Sequence, residues 1–406
     1  MPDTTDTNRI NEQVIQEPSV EDVKGKTQRF LLNGALVTSG LALVLLMMDL
    51  LNDASIHMTL MPAVLLFCIA LGTWLRDLAK HGSHAAIYLV TSVVAAILLI
   101  FHLRTIPDTT FAETNISSSF SKMSYWLSVI AAWLMAWLSV EHLSSIKTLS
   151  RTINRVLSFV IPFIFGVWLL LLWEFITRGA GVPQVLLPSP SLIGERFSNS
   201  IPILIADFKQ TFLKAVLIGY AMGCSAGFIA AILIDRSPFL QRGLLPIGNL
   251  VSALPIVGVA PIMVMWFGFD WPSKAAVVVV MTFFPMLVNT IAGLSAATTM
   301  QHDLMKTYAS GYWQTLFKMR LPQALPFIFN ALKINSTLAL IGAIVAEFFG
   351  TPIVGMGFRI STEVGRMNVD MVWAEIAVAA MAGSLFYAVL ALIERMCTFW
   401  HPSMRT

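Results

Sequence analysis

Ten runs of roughly 20 mainly apolar residues set the terms for this chain, because a helix needs that length to cross the hydrocarbon of a bilayer. They lie near 30–51, 56–75, 85–103, 123–143, 156–176, 208–234, 244–268, 273–297, 325–347 and 373–396. Only 12% of the 406 residues are charged and 56% are hydrophobic, whereas a soluble domain carries about a quarter charged residues. The expected fold class is an all-α polytopic membrane protein with ten transmembrane helices. Cys68, Cys224 and Cys397 fall inside apolar runs without metal-ligand spacing, so they read as small core residues.

The connections between the runs differ in charge. Those at 76–84, 144–155 and 235–243 carry Arg76, Lys80, Lys147, Arg151, Arg155, Arg236 and Arg242, and the segment after the eighth run carries Lys306, Lys318 and Arg320. The alternate connections 52–55, 104–122 and 269–272 hold only Arg104 and Lys122 as basic residues. Lys and Arg are retained on the cytoplasmic side, so both termini and the basic loops are expected in the cytoplasm. The longer outer segments 177–207 and 348–372 carry Arg178, Arg196, Arg359 and Arg366, which narrows the bias without reversing it. Residues 1–29 are polar, lack the apolar core of a secretory signal, and read as a flexible cytoplasmic tail. Gly25-Lys26-Thr27 ends like a phosphate-binding loop, but Val20 stands where its first glycine belongs and no strand pattern precedes it.

Composition changes near residue 150. Pro62 is the main helix-interrupting residue in the first four runs, whereas the last six carry Pro246, Pro255, Pro261 and Pro285. Prolines inside spans are tolerated where neighbouring helices or water satisfy the freed carbonyls. The run 244–268 therefore reads either as kinked packing or as a broken helix lining a cavity. Gly219, Gly223 and Gly227 fall on one helix face, and such small-residue faces let two membrane helices approach closely. Charged residues inside spans are functional candidates by default. Glu347, Glu375 and Glu394 lie near span ends, where partial hydration is the plainer reading. Asn249, Ser252 and Asn289 are as suited to helix–helix hydrogen bonds as to substrate contact. The histidines sit at connections or span ends with no His-Glu-x-x-His pattern, so no metal is expected. No paired acids, Ser-Lys or histidine-based set indicates catalysis, and no nucleic-acid partner is indicated.

The longest polar-mixed stretch in the second half of the chain is 303–326. Met305, Tyr308, Tyr312 and Leu316 recur at helical spacing, with Ala309, Trp313 and Phe317 in a neighbouring row. A single amphipathic helix over 303–319 is expected from this pattern. Asp303 would occupy its favourable N-terminal end, and Pro322 is expected to stop it. On the cytoplasmic side such a helix is either an anchor on lipid headgroups or a docking element for another protein.

Anchored on Leu321-Pro322, this segment resembles the loop by which permease subunits of bacterial ABC importers dock on their ATPase. That loop reads Glu-Ala-Ala, three residues, Gly, nine residues, Ile, one residue, Leu-Pro. Counting back from Pro322 places Asp303, Leu304 and Met305 on Glu-Ala-Ala, Ala309 on Gly and Met319 on Ile, with Gly311 two places from the expected glycine. Further motifs are similar, in order, to the nitrate/sulfonate/taurine-type branch of these permeases. They are Leu187-Pro188-Ser189-Pro190-Ser191, ALPIVGVAPIMVMWFG at 253–268, Phe284-Pro285 with Asn289, Trp313-Gln314, LPQALP at 321–326 and IGAIVAEFFG at 341–350. The resemblance covers about 156–400.

It implies a six-helix permease core over 151–400, preceded by the tail at 1–29 and an accessory region of four spans at 30–150. It also implies a binding-protein-dependent importer in a bacterial inner membrane. Two copies of the chain would pair, an external solute-binding protein would deliver cargo, and separate ATPase chains would bind ATP and Mg. This chain would then hold no cofactor and catalyse no reaction. The implied coupling residues are Asp303, Tyr308, Ala309, Gly311, Tyr312, Leu316, Phe317, Leu321 and Pro322, with Tyr308, Tyr312, Leu316 and Phe317 buried in a groove of the ATPase. Candidates for the translocation path are Asn249, Ser252, Pro255, Pro261, Trp266, Asn289 and Glu347.

For cargo, Leu304-Met305 and the run YWQTLFKMRLP are nearer to the permeases for thiamine-precursor pyrimidines and riboflavin than to those for sulfonates. Anionic cargo is expected to leave a cationic trace along the path, and the span interiors read as free of one. A small aromatic nitrogen heterocycle is therefore expected ahead of nitrate, sulfonates or taurine. The alternative is an ion-coupled secondary transporter, which calls for charges at mid-span and an internal repeat. The four extra spans read either as a scaffold for the dimer or for another membrane protein, or as a fused remnant with no transport role.

Overall fold

A computed structural model of the chain describes residues 116–145, 151–237, 239–240, 243, 255–350 and 353–400, with isolated helical positions at 90, 93, 94 and 97. The expected spans near 30–51, 56–75 and 85–103, and the first part of 244–268, lie wholly or mostly outside the described residues. Among the described residues the regular elements are all helical. They are α1 (Ile116–Ser145), α2 (Arg151–Gly179), α3 (Pro190–Asn199), α4 (Ile201–Phe208), a π-helical stretch π1 (Lys209–Val216) and α5 (Leu217–Asp235). There follow α6 (Ile256–Phe267), α7 (Trp271–Ser295), α8 (Thr299–Thr307), α9 (Tyr312–Thr315), a second π-helical stretch π2 (Leu316–Arg320), α10 (Leu321–Glu347), α11 (Met356–Gly365) and α12 (Val369–Cys397).

Five continuous helical rods among them are long and apolar enough to cross a membrane: Asn154–Gly179, Ile201–Asp235, Trp271–Ser295, Tyr312–Glu347 and Val369–Cys397. Tyr125–Glu141 and Gly258–Phe267 are shorter apolar helices. The rod expected from 208 starts at Ile201 instead, with Pro202 in its first turn. Polar Asp207, Gln210 and Thr211 delay the apolar signal, yet Asp207 and Thr211 are fully buried and hydrogen-bonded.

The chain divides into two compact units, Met1–Ser191 and Leu192–Thr406. The division falls later than the composition break near residue 150, because α2 packs on α1 through Tyr125, Met135, Trp168 and Phe175. The Tyr125 hydroxyl donates to the Phe175 carbonyl at 3.0 Å. At the end of α2, Glu174 accepts from the backbone N–H and the hydroxyl of Ser191 at 2.9 and 2.7 Å, and Arg178 pairs with it at 2.6 Å. The last serine of the Leu-Pro-Ser-Pro-Ser motif thus offers a first-turn N–H of α3 to a carboxylate, which suits the positive end of a helix.

The centre of the second unit is the bundle of α5, α7 and α10, with α12 packed alongside. Lipid tails are as apolar as the side chains, so close backbone approach and interhelical hydrogen bonds hold such a bundle together. Gly219, Gly223 and Gly227 are all buried on α5, facing α7. A Cβ at Gly219 would lie 2.7 Å from the Ala275 carbonyl oxygen, and one at Gly227 would lie 2.5 Å from that of Phe283. Asn335 on α10 is fully buried and donates its amide to the Thr282 carbonyl at 2.8 Å and to Cys224 Sγ at 3.2 Å, tying three helices together.

Lys209, Lys214, Lys274 and Lys333 lie inside the rods, which corrects the expectation that the span interiors carry no cation. Lys209 is exposed, and the other three are engaged by neighbouring groups. Lys333 pairs with Glu394 at 2.7 Å, and Lys214 donates to Gln210 Oε1 at 3.0 Å. The buried Lys274 donates to the carbonyls of Phe269 and Gly350, closing the chain ends that leave α6 and α10.

Candidate functional site

The stretch expected to form one helix over 303–319 is two pieces separated by a turn. The first piece, α8, opens with a capping box: Thr298 Oγ1 accepts from Gln301 N–H, and the Gln301 side chain accepts from Thr298 N–H. These reciprocal bonds satisfy two of the donors that a helix start leaves open. The helix stops at Thr307, and Ala309 takes the left-handed conformation with φ 51°. Its N–H donates to Lys306 O at 2.8 Å, and Ser310 N–H donates to Met305 O at 3.1 Å.

Ala309 is the position where the docking-loop pattern carries glycine, and the left-handed region is where a Cβ is unfavourable. Gly311, by contrast, has an ordinary φ of −73° at the N-cap of α9. Ala309→Gly is therefore expected to stabilise the turn by about 1 kcal/mol. A rise in thermal midpoint of the purified protein would register it, and a fall would contradict the turn.

From Tyr312 the chain runs unbroken through π2 into α10, so Pro322 lies in a first turn and does not stop a helix. The reason is the π-helical stretch, in which Leu321 N–H reaches back five residues to Leu316 O. Where the ladder has already left its usual register, a missing proline N–H is absorbed.

The turn also rotates one piece against the other, so the apolar positions no longer share a face. Leu316 is fully buried in the core of the second unit and cannot face a partner chain. Tyr312 is half-buried against the same core, with its hydroxyl 3.4 Å from Asp235 Oδ2. Phe317 remains exposed, stacked on exposed Trp313. Leu321 and Pro322 are half-buried. Asp303 falls in the middle of α8 and pairs with Lys306 at 3.1 Å on the surface, so it does not occupy the first turn. None of the α8 residues is buried, and Met300, Leu304 and Tyr308 recur every four residues with 82%, 56% and 74% of their surface exposed. Met300 escaped the sequence reading because it precedes the expected helix.

The path candidates sit in different local settings. Asn249 and Ser252 lie outside those residues. Pro255 is extended at the N-cap of α6, Pro261 is inside that helix, and Trp266 is 72% exposed. Asn289 donates its amide to the Pro285 carbonyl of its own helix at 2.8 Å. Glu347 is buried, as is Glu375, so the expected partial hydration at span ends does not apply to either. Glu394 is the half-buried partner of Lys333.

Glu347 instead belongs to a polar knot around the start of α11. Its Oε2 accepts from Gly357 N–H at 2.7 Å, and its Oε1 accepts from the Thr211 hydroxyl at 2.8 Å. Thr211 in turn accepts from Met356 N–H at 2.8 Å. Asp207 accepts from Gly355 N–H at 2.7 Å and from Arg359 Nε at 2.9 Å. The opening N–H groups of α11 are thus held by carboxylates and a hydroxyl from α4, π1 and α10, an arrangement favoured by the helix dipole. Gly355 has φ 147°, and a Cβ at Gly357 would crowd Glu347 Cβ at 2.8 Å. Sequence reasoning missed Asp207, Thr211 and Arg359; the spaced glycines after a buried glutamate are the local trace they leave.

Residues 223–405 match the family model for binding-protein-dependent transport system inner membrane components. The formylaminopyrimidine transport permease protein of Halalkalibacterium halodurans is 30% identical over 239 residues, 59% of this chain and 95% of that protein. The chain belongs to this family. The riboflavin transport system permease protein of Chloroflexus aurantiacus is 28% identical over 236 residues, 58% of this chain and 88% of that one. A putative aliphatic sulfonates transport permease of Bacillus subtilis is 27% identical over 234 residues, covering 57% and 84%. The chain is therefore a membrane-embedded permease subunit of an ABC importer, a transport component whose ATPase is a separate chain. Family membership sets aside the ion-coupled alternative.

Proposed function

We propose that this permease moves a small aromatic nitrogen heterocycle into the cytoplasm and is driven through α8, which docks on the ATPase. The carrying observation is a capped helix with no buried residue that presents Met300, Leu304 and Tyr308 on one side. A helix this short is marginal in water without packing, and aromatic and aliphatic anchors in a pocket dominate small interfaces. Trp313 and Phe317 extend the exposed apolar surface beyond the turn. ATP and Mg are held by the partner, and an external binding protein delivers the cargo.

Two copies of the chain form the pore in this reading. The apolar runs give ten spans, and the basic loops place the tail 1–29 and both termini in the cytoplasm. The region 30–150 is accessory to the permease core at 151–400. An aromatic heterocycle is favoured over an anion because Lys274 and Lys333, the lysines of α7 and α10, are tied to backbone carbonyls and to Glu394. The relatives named for formylaminopyrimidine and riboflavin support the same choice.

The decisive variant is Leu304→Glu with Tyr308→Glu, made in the full chain and purified from its native host. Wild type is expected to bring down an ATPase chain, and the variant to lose it at unchanged yield in the membrane. If the variant keeps the ATPase, α8 is an anchor on lipid headgroups and the docking reading falls. Leu316→Glu would be uninformative, since it places a charge in the core. Cargo is then read from uptake by proteoliposomes of the complex and its binding protein. Uptake of a pyrimidine or riboflavin is expected, and uptake of taurine or nitrate alone would overturn the choice.

A further inference from the structure

The C-terminal side of the coupling segment is tied to the membrane helices far more firmly than α8 is. Arg320, the last residue of π2, makes a two-pronged pair with Asp235, the last residue of α5, with both N–O distances 2.7 Å. The two side chains are 15% and 4% exposed. Parallel guanidinium–carboxylate bonds of this kind fix orientation as well as charge. Arg320 Nε also donates at 3.1 Å to the Leu294 carbonyl, one of the last-turn acceptors that α7 cannot satisfy internally. Three helix ends therefore meet at one guanidinium. Arg236 adds a second tie, its guanidinium 5.7 Å from the ring centre of Tyr312 and 5.9 Å from that of Trp313. Between the side chains of α8 and α10, Gln301 Nε2 donates to Gln323 Oε1 at the long distance of 3.5 Å.

We propose that the Asp235–Arg320 pair is the joint through which displacement of the docked α8 is passed to α5 and α7. This rests on α8 being the docking helix. Since α7 leads directly into α8 and π2 follows it, the exposed helix is a lever held at both roots. Arg320 locks those roots to each other and to α5. A lever whose roots are unlocked can follow the ATPase without moving the helices behind it, so the pair acts as a positioning device and touches no cargo.

The test uses the intact complex in proteoliposomes with saturating binding protein, reading ATP hydrolysis and uptake side by side. Asp235→Asn and Arg320→Lys are each expected to keep the ATPase bound and hydrolysing while uptake falls roughly tenfold or more. The double exchange Asp235→Arg with Arg320→Asp is expected to recover part of that uptake. Wild-type uptake in either single variant would overturn the joint. So would parallel loss of ATPase binding, hydrolysis and uptake without recovery in the double exchange, which marks a purely structural pair. The α8 variants keep the two readings separable: an ATPase retained by Leu304→Glu/Tyr308→Glu sinks the docking reading, whereas full uptake by Asp235→Asn sinks the joint alone.

Discussion

Gly223→Val is expected to leave little folded permease in the membrane, while Gly194→Ala, where an added Cβ meets nothing, is expected to be silent or slightly stabilising. A Cβ at Gly223 would stand 2.8 Å from the Val279 carbonyl oxygen, 3.0 Å from Val279 Cα, and against the Thr282 hydroxyl. Most of these neighbours are backbone, which cannot rotate away. The helices must then separate, and the flanking approaches at Gly219 and Gly227 open with them. Asn335 would lose its grip on the Thr282 carbonyl and on Cys224, since both belong to the helices being pushed apart. Overpacking a tight core costs about 1–3 kcal/mol and sometimes more, and Val adds bulk beyond the methyl of Gly223→Ala. Membrane yield and thermal midpoint in detergent measure the effect. A midpoint for Gly223→Ala equal to that of Gly194→Ala would show that α5 and α7 do not approach this closely.

Glu347→Ala is expected to unfasten α11. The substitution leaves the buried Gly357 N–H and the Thr211 hydroxyl without their acceptor. Each stranded donor costs about 1–3 kcal/mol, so a loss of roughly 3–5 kcal/mol is expected for the two together. The damage should concentrate locally, because Asp207 still holds Gly355 and Arg359. Hydrogen exchange across Met356–Gly365 is the sharper measurement, with faster exchange expected there than in α5 or α7. Glu347→Gln, which keeps an acceptor oxygen, is expected to lose less. Unchanged protection of α11 in Glu347→Ala would mean that the knot does not carry this helix, and would return Glu347 to the list of groups open to cargo.

These two residues also mark how far one-dimensional reasoning reaches. Gly223 was legible because a bilayer removes the apolar driving force between helices, leaving small residues at four-residue intervals as the readable sign of close packing. Glu347 was legible only as an acid near a span end, and its partners were not. The spaced glycines nearby hint at Gly357, but Thr211 is brought to Glu347 from 136 residues away by the packing of π1 against α10, and nothing in the sequence around Glu347 names it. The docking segment divides in the same way. Spacing from Leu321-Pro322 located Ala309, and its left-handed backbone agrees with the glycine of the pattern. The apolar period, however, runs across the turn at 308–311 without a break, so it could not reveal that Leu316 points inward while Tyr308 points out.

Sequence alone thus determined that this is a helical membrane chain and to which kind of importer it belongs. The length of an apolar run and the spacing of a motif are properties of the chain itself. Only the tertiary structure decided which side of the coupling segment is free to meet a partner and which acids are tied down. Burial and hydrogen-bond partnership depend on residues far apart in the chain, and these become neighbours only when the helices pack.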